Sequence, residues 1–352
     1  MKGESARILS VALPPVVFLA AAASWLVAEC RAAEGAARVE LECDDQQGQM
    51  QVLIDGKEAL VYQYGKDCDV AHYYPVRSPS GKLLTVQQTD PYPHHRSFWF
   101  ADTIQLAGQP KVSFYMAFTS RVDRKDPKSP LRDQIRHVKF LAREVTPAGA
   151  TVKAQLVWVS DQGMRPMLDE TRQMRIVPLA DGEYFLDCEF KVTAAYGDVK
   201  FASDQTHYAW PYIRIHPQFA VERTAVAKGT GVKGADKSVL QAGTGKITNS
   251  AGQVNGKATC MQVARWVDYS GTVEGVTEGL AMFADPNQPP PKFFTRDYGT
   301  FGPRRPDDQS GKPFDLKKGQ SLQTRVGVLV HRGDVLSGKV ADRYEAYRDG
   351  KL

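Results

Sequence analysis

The chain has 352 residues, 42% hydrophobic and 24% charged, the composition of an ordinary globular protein. Disordered, collagen-like and disulfide-stapled miniature chains are excluded. A formal net charge of +5, spread without clustering, gives no footing for a nucleic-acid partner.

The first thirty residues differ from the rest. Lys2 and Arg7 precede an almost wholly apolar stretch from Ile8 to Ala28. Cys30 and Ala32 are small residues at the −3 and −1 positions of a cleavage after Ala32. This pattern predicts a signal peptide over 1–32 and export to the periplasm or the cell exterior. A retained anchor is the rival reading, since the run is just long enough to span a bilayer. Pro14 and Pro15 argue against a stable spanning helix. After cleavage no further span is expected. Cys43, Cys68, Cys188 and Cys260 then remain, and an even number in an oxidising compartment permits disulfides. Cys43–Cys68 is the favoured pairing, because both lie in the first strand-and-turn segment; buried free thiols are the alternative.

Beyond the signal, polar and apolar residues alternate. Arg38–Cys43 and Met50–Ile54 read as strands, the second ending in an Asp55-Gly56-Lys57 hairpin turn. Val112–Phe118, Thr151–Ser160, Tyr184–Ala194, Met261–Val267, Leu280–Ala284 and Leu322–Val330 are further strand candidates, punctuated by Gly, Asp and Pro. The mixed-charge run Arg121–Arg136 reads as a solvated loop, and Lys228–Lys257 as a long turn-rich excursion or hairpin. Ser337–Asp349 predicts one helix, with Val340, Tyr344 and Tyr347 on a single apolar stripe. The expected fold is all-β: a large antiparallel β-sandwich with a short C-terminal helix, one domain over 33–352.

Chemistry concentrates in a few segments. Asp90-Pro-Tyr-Pro-His-His-Arg-Ser-Phe-Trp99 places His94, His95 and Arg96 beside aromatics in a Pro-stiffened loop. Histidine shuttles protons near neutral pH, and arginine holds oxygens through a planar fork. On a strand, adjacent side chains would point to opposite faces, so only one of the two histidines would line a pocket. A second cluster holds His207 and Arg214, a third Trp266 and Asp268, and a fourth Arg296 and Asp297, which could form a buried structural pair. His331 alone reads as structural. His94, His95, His207 and Asp268 could in principle hold a metal, but separate segments carry no ligand spacing, and none is expected. No phosphate loop, dinucleotide fingerprint, nucleophile elbow or zinc-protease motif is present, and no cofactor is expected.

Four ordered motifs carry a family resemblance: Tyr92-Pro-His-His-Arg-Ser-Phe-Trp-Phe-Ala, Gly245-Lys-Ile-Thr-Asn-Ser-Ala-Gly, Ala264-Arg-Trp-Val-Asp-Tyr-Ser-Gly and Arg296-Asp-Tyr-Gly-Thr-Phe. Together, over roughly Val70 to Tyr347, they resemble the PmoA-like domain family. That family's "methane oxygenase" label conflicts with a chain holding one apolar run. The resemblance implies a sandwich similar to galactose mutarotase, with histidine and a carboxylate doing acid–base work on a sugar. In an enzyme of that kind His94 or His95 would be the acid or base, Asp268 the partner carboxylate, Arg96 and Arg214 the oxygen-orienting groups, and Trp99 and Trp266 a stacking wall. His207, Arg296 and Asp297 complete the expected substrate contacts. The chain departs from the family at Phe293-Phe294, at His207–Trp210 and at Ser97. The expected partner is a small sugar, an oxidised sugar or an oligosaccharide. Two functions are open: an enzyme of the cell envelope acting on a sugar, or a carbohydrate-binding protein without turnover.

Overall fold

The computed structural model describes residues 39–89, 91–126, 128–202, 209–222, 243–305 and 312–352. The expected signal peptide, His207 and residues 228–242 of the turn-rich excursion lie outside the described residues. Among the described residues, twenty-one strands, numbered in chain order, form three antiparallel sheets.

The nine-stranded sheet runs β1 (Val39–Asp44), β2 (Gln49–Ile54), β3 (Lys57–Gln63), β4 (His72–Val76), β5 (Phe98–Trp99), β13 (Tyr212–Arg214), β19 (Thr300–Pro303), β18 (Lys292–Thr295), β15 (Gln262–Val263). The eight-stranded sheet runs β14 (Lys246–Asn249), β16 (Trp266–Val273), β17 (Val276–Ala284), β21 (Ser321–Arg332), β11 (Tyr184–Thr193), β10 (Arg165–Pro178), β9 (Gly149–Ser160), β8 (Gln134–Thr146). A small sheet orders β20 (Phe314–Leu316), β12 (Val199–Phe201), β6 (Thr103–Leu106) and β7 (Val112–Ser113).

The two large sheets pack face to face, and alternation decides which side chains meet. Phe98 of β5 reaches Phe190 of β11 at 6.2 Å between ring centroids, and Phe301 of β19 reaches Tyr269 of β16 at 5.7 Å. One continuous apolar core joins both inner faces. Each large side chain removed from water there stabilises the fold by about 1.5–3 kcal/mol. The inner row of β10 also carries Glu170 and Arg172. Arg172 donates to Glu170 Oε1 and to the Ala71 carbonyl, each at 2.8 Å, and Trp158 Nε1 donates to Glu170 Oε2 at 2.8 Å.

The outer face of the eight-stranded sheet is covered by the C-terminal helix α2 (Val340–Arg348). Its expected stripe of Val340, Tyr344 and Tyr347 packs on Phe185, Phe283, Leu329 and Trp266.

Three expectations need correction. Val112–Phe118 is not one strand: β7 ends at Ser113, and Phe114–Thr119 forms 3₁₀ turns burying Phe114 and Ala117 together. Residues three apart share a face in that geometry, which suits packing of Phe114 on Trp158. Met261–Val267 is also broken. Gln262–Val263 joins the nine-stranded sheet and Trp266–Val273 the eight-stranded one, so the chain changes sheets between them. The favoured Cys43–Cys68 disulfide is absent: all four cysteines are free thiols, and Arg143 Nη1 lies 2.9 Å from Cys43 Sγ. The Arg121–Arg136 loop holds until Gln134, where β8 begins with two buried residues.

Candidate functional site

The loop between β4 and β5 crosses the outer face of the nine-stranded sheet. A bridge pairs Thr89 with Tyr92, and the His95 amide donates to the Tyr92 carbonyl at 3.0 Å. The segment is a turn, so strand alternation does not apply. The His94 and His95 rings meet edge to face, 4.6 Å apart, and belong to one surface. Arg96 turns away. Its fork grips Asp69 through Nε–Oδ1 at 2.9 Å and Nη2–Oδ2 at 2.5 Å, with both residues buried. Nη1 also donates to the Pro93 carbonyl at 3.2 Å. Arg96 therefore anchors the turn, whereas the sequence suggests a substrate-orienting group.

Aromatic rings wall the histidines. Tyr92 stacks on His95 at 4.8 Å and 12°, and on Tyr298 at 4.8 Å and 27°. Trp99 stacks on Tyr212 at 4.9 Å and lies 5.5 Å from His95. Tyr115 Oη and His95 Nε2 share a 2.9 Å hydrogen bond, and Thr300 Oγ1 lies 3.4 Å from His95 Nδ1. Register explains the convergence. Tyr212 pairs with Trp99 and Arg214 with Thr300, and residues two apart on a strand share a face. Gly302 on β19 passes under Pro211, where an added Cβ would sit 2.1 Å from the Pro211 carbonyl oxygen. Arg214 is buried, lies 4.7 Å from the Tyr298 ring centroid and donates to the Tyr298 carbonyl. Trp99 Nε1 is buried with no hydrogen-bond partner among the described residues.

The electrostatics follow from this packing. Burial, reinforced by the Arg96 charge, lowers the His94 pKa to about 4. Burial, then the charges of Arg214 and His94, hold the His95 pKa well below its ordinary value. Both imidazoles are neutral at pH 7. Burial also lowers the Arg214 pKa to about 10, which leaves it a cation. No carboxylate hydrogen-bonds to either imidazole among the described residues.

Asp268 lies on the other side of the sandwich. Its neighbour Tyr269 points into the core, so Asp268 points to the outer face of the eight-stranded sheet, as does Trp266. There Asp268 accepts from His331 Nε2 at 2.8 Å and from Ser270 Oγ at 2.9 Å, fully buried. His331 Nδ1 faces the Arg332 carbonyl at 3.0 Å. Both ring nitrogens meet acceptors, an arrangement only the imidazolium satisfies fully. Burial acts to lower the His331 pKa, but the Asp268 charge and hydrogen bond outweigh it and raise it. The sequence expectation that Asp268 partners His94 or His95, and that Trp266 and Trp99 form one wall, is therefore corrected: the packed core separates them. Nor do Arg296 and Asp297 pair. Arg296 lies over the Phe294 ring, with Nη1 2.7 Å from Cys260 Sγ. Asp297 accepts from the Gly256 amide at 2.6 Å, in the short helix α1 (Asn255–Thr259).

Of the expected residues, the structure thus brings together His94, His95, Trp99 and Arg214. It adds Tyr92, Tyr115, Tyr212, Tyr298 and Thr300. Tyr92, Tyr298 and Thr300 stand inside the ordered motifs, whereas Tyr115 is concealed in a segment that reads as a strand. Among the described residues no three His, Cys, Asp or Glu side chains converge to hold a metal, and no helix is long and apolar enough to cross a membrane.

These features define a β-sandwich protein with an aromatic, histidine-bearing face on one sheet. The chain belongs to a family of unknown function, DUF6807, whose model matches residues 49–345. The match does not carry the PmoA-like name. No curated protein matches the sequence. Among solved structures, the GH36 α-galactosidase AgaA of Geobacillus stearothermophilus is similar at a TM-score of 0.40 and 10% identity, over 84% of this chain and 41% of its own. The α-galactosidase of Lactobacillus brevis gives a TM-score of 0.33 and 8% identity, over 84% and 39%. A galactose mutarotase related enzyme of Lactobacillus acidophilus gives a TM-score of 0.33 and 9% identity, over 83% and 97%. The chain spans less than half the length of either α-galactosidase.

Proposed function

We propose that the protein binds a sugar or an oxidised sugar on the His94–His95 face and transfers a proton on it. The observation that carries this reading is the contact set itself: two neutral imidazoles, one hydrogen-bonded to Tyr115, inside a wall of Tyr92, Trp99, Tyr212 and Tyr298. Trp99 and Tyr212 are buried and brace this wall, and the half-buried rings of Tyr92, Tyr115 and Tyr298 offer the flat faces that suit the apolar side of a sugar ring. Neutral imidazole and phenol suit donation to, and acceptance from, hydroxyl groups. His94, half-buried at the rim, and Tyr115 are the proton-transfer groups. His95 positions Tyr115. Asp268 takes no part. Export and a single domain over 33–352 belong to this proposal, and the mass of the mature protein and its resistance to limited proteolysis test them.

One observation favours a second reading, binding without turnover: no carboxylate bonds to the histidines among the described residues. The test is thermal unfolding and product analysis with monosaccharides, oligosaccharides and 3-keto sugars. A ligand at a hundred times its Kd adds about 2.7 kcal/mol of stability. Turnover that falls about 10²–10⁴-fold in His94→Ala and in Tyr115→Phe supports proton transfer. A raised midpoint without product supports binding alone. No shift with any sugar overturns both.

A further inference from the structure

Resting on the sugar reading of that face, we infer that the ligand is an extended glycan whose chain crosses the strands from the histidine cluster into a second binding groove on β1–β4. A cleft of about 470 Å³ opens on the outer face of the nine-stranded sheet, lined in part by Gln49, Gln51, Glu58, Gln63, Tyr74 and Arg77. It is not a separate surface. Gln49 pairs with Gln63, Gln63 with His72, His72 with Trp99 and Trp99 with Tyr212. One cross-strand row, all on one face, thus joins the groove to the aromatic wall. From β2 to β5 it crosses three strand spacings, roughly 14 Å, more than one sugar ring covers. Between the two ends His72 is buried under the half-exposed Gln87, whose Oε1 lies 2.6 Å from His72 Nε2. A chain leaving the cluster would pass over this amide.

The groove's chemistry suits glycan hydroxyls. Glu58 is held from two sides: Oε1 accepts from Arg77 Nε and Oε2 from Gln51 Nε2, each at 2.5 Å. Gln63 donates to the Tyr74 carbonyl at 2.6 Å. This network fixes the polar groups, yet the Gln51 side-chain carbonyl and the Gln49 amide make no protein hydrogen bond among the described residues. An amide offers a donor and an acceptor together, as neighbouring hydroxyls require, and Tyr74 supplies a flat apolar face beside them. The groove is therefore a secondary subsite, and polymer length is the property it reads.

Calorimetric titration of the full chain with ladders of one to six units tests this, using β-1,4-linked glucose, mannose and xylose and α-1,4-linked galacturonate. The expected result is affinity that rises at least about tenfold from one unit to four for the ladder that binds. The double variant Gln49→Ala/Gln51→Ala should lose about tenfold for the tetramer and nothing for the monomer. Tyr74→Ala should act the same way, and an unchanged monomer affinity reports an intact fold. Monomer binding that His95→Ala abolishes, with no gain from length or no loss in the groove variants, overturns the groove and leaves the sugar reading standing. No binding by any ladder overturns both.

Discussion

The two outer faces of the sandwich each bury a histidine, and they treat it in opposite ways. On the nine-stranded sheet, His95 sits among rings and cations, bonded to Tyr115, and its proton affinity is depressed. On the eight-stranded sheet, His331 sits against Asp268 and a carbonyl, and its proton affinity is raised. The second face is closed by α2, and its polar pair is satisfied internally. The first carries a half-buried histidine at its rim and a buried Trp99 Nε1 without a bond among the described residues. Burial alone does not mark a functional group; what faces the buried group does.

The sharpest way to break this comparison is to remove Asp268. Asp268→Ala breaks a buried pair and leaves His331 Nε2 and Ser270 Oγ without their acceptor, and we expect a loss of about 3–5 kcal/mol in chemical denaturation. Any sugar-induced midpoint shift should survive in that variant and vanish in His95→Ala. A shift lost with Asp268 alone, in folded protein, would reunite the two faces.

Next in size is the acid limb of stability. Burial holds the folded pKa of His72 near 4, against 6.5 as the ordinary value. Above pH 6.5 this group is neutral in both states and adds no pH dependence. As pH falls from 6.5 to 4 the unfolded chain takes the proton first, and stability falls by about 1.4 kcal/mol per pH unit. His72→Gln should make that limb shallower by this one group's share, with His94, His95 and His137 still contributing, in urea titrations at pH 4.5, 5.5 and 6.5. An unchanged slope would contradict it.

The alkaline limb runs the other way and is smaller. The raised pKa of His331 gives stability that is fully present below about pH 6.5 and is lost as pH rises through the folded value. His331→Asn should be less stable than the parent at pH 6, with the gap closing towards pH 9. A gap independent of pH would mean that the pair is held by packing and not by charge.

The smallest effect should be none at all. With all four cysteines free, a reducing agent should leave the melting midpoint unchanged. Thiol labelling should reach the exposed Cys43 first and the buried Cys188 only on unfolding. A lowered midpoint on reduction would restore the disulfide.

What could be read along the chain was what alternation and periodicity encode. β2, β9, β11 and β21 declared themselves because apolar residues fall on every second position. α2 declared itself through Val340, Tyr344 and Tyr347. β10 did not, because Glu170 and Arg172 occupy its inner row, and a charged pair looks like a surface until its partners are seen. β8 did not, because most of its length is exposed at the sheet edge. The histidine-bearing loop was legible as a concentration of chemistry, since His94, His95 and Trp99 stand within six residues. Its companions were legible only piecemeal: Arg214, Tyr298 and Thr300 stood in separate clusters and motifs, and Tyr115 and Tyr212 were not singled out. They come from three distant segments; strand order and register set Tyr212, Arg214 and Thr300 beside Trp99, and Tyr115 and Tyr298 join from the 3₁₀ turns after β7 and the turn between β18 and β19. The composition and local patterning of the sequence by themselves determined an all-β sandwich closed by a helix, because burial of alternating apolar side chains is a local instruction. Tertiary structure alone decided that Asp268 belongs to His331 and Arg96 to Asp69, because an ion is claimed by whichever counter-charge the packed sheets bring within bonding distance.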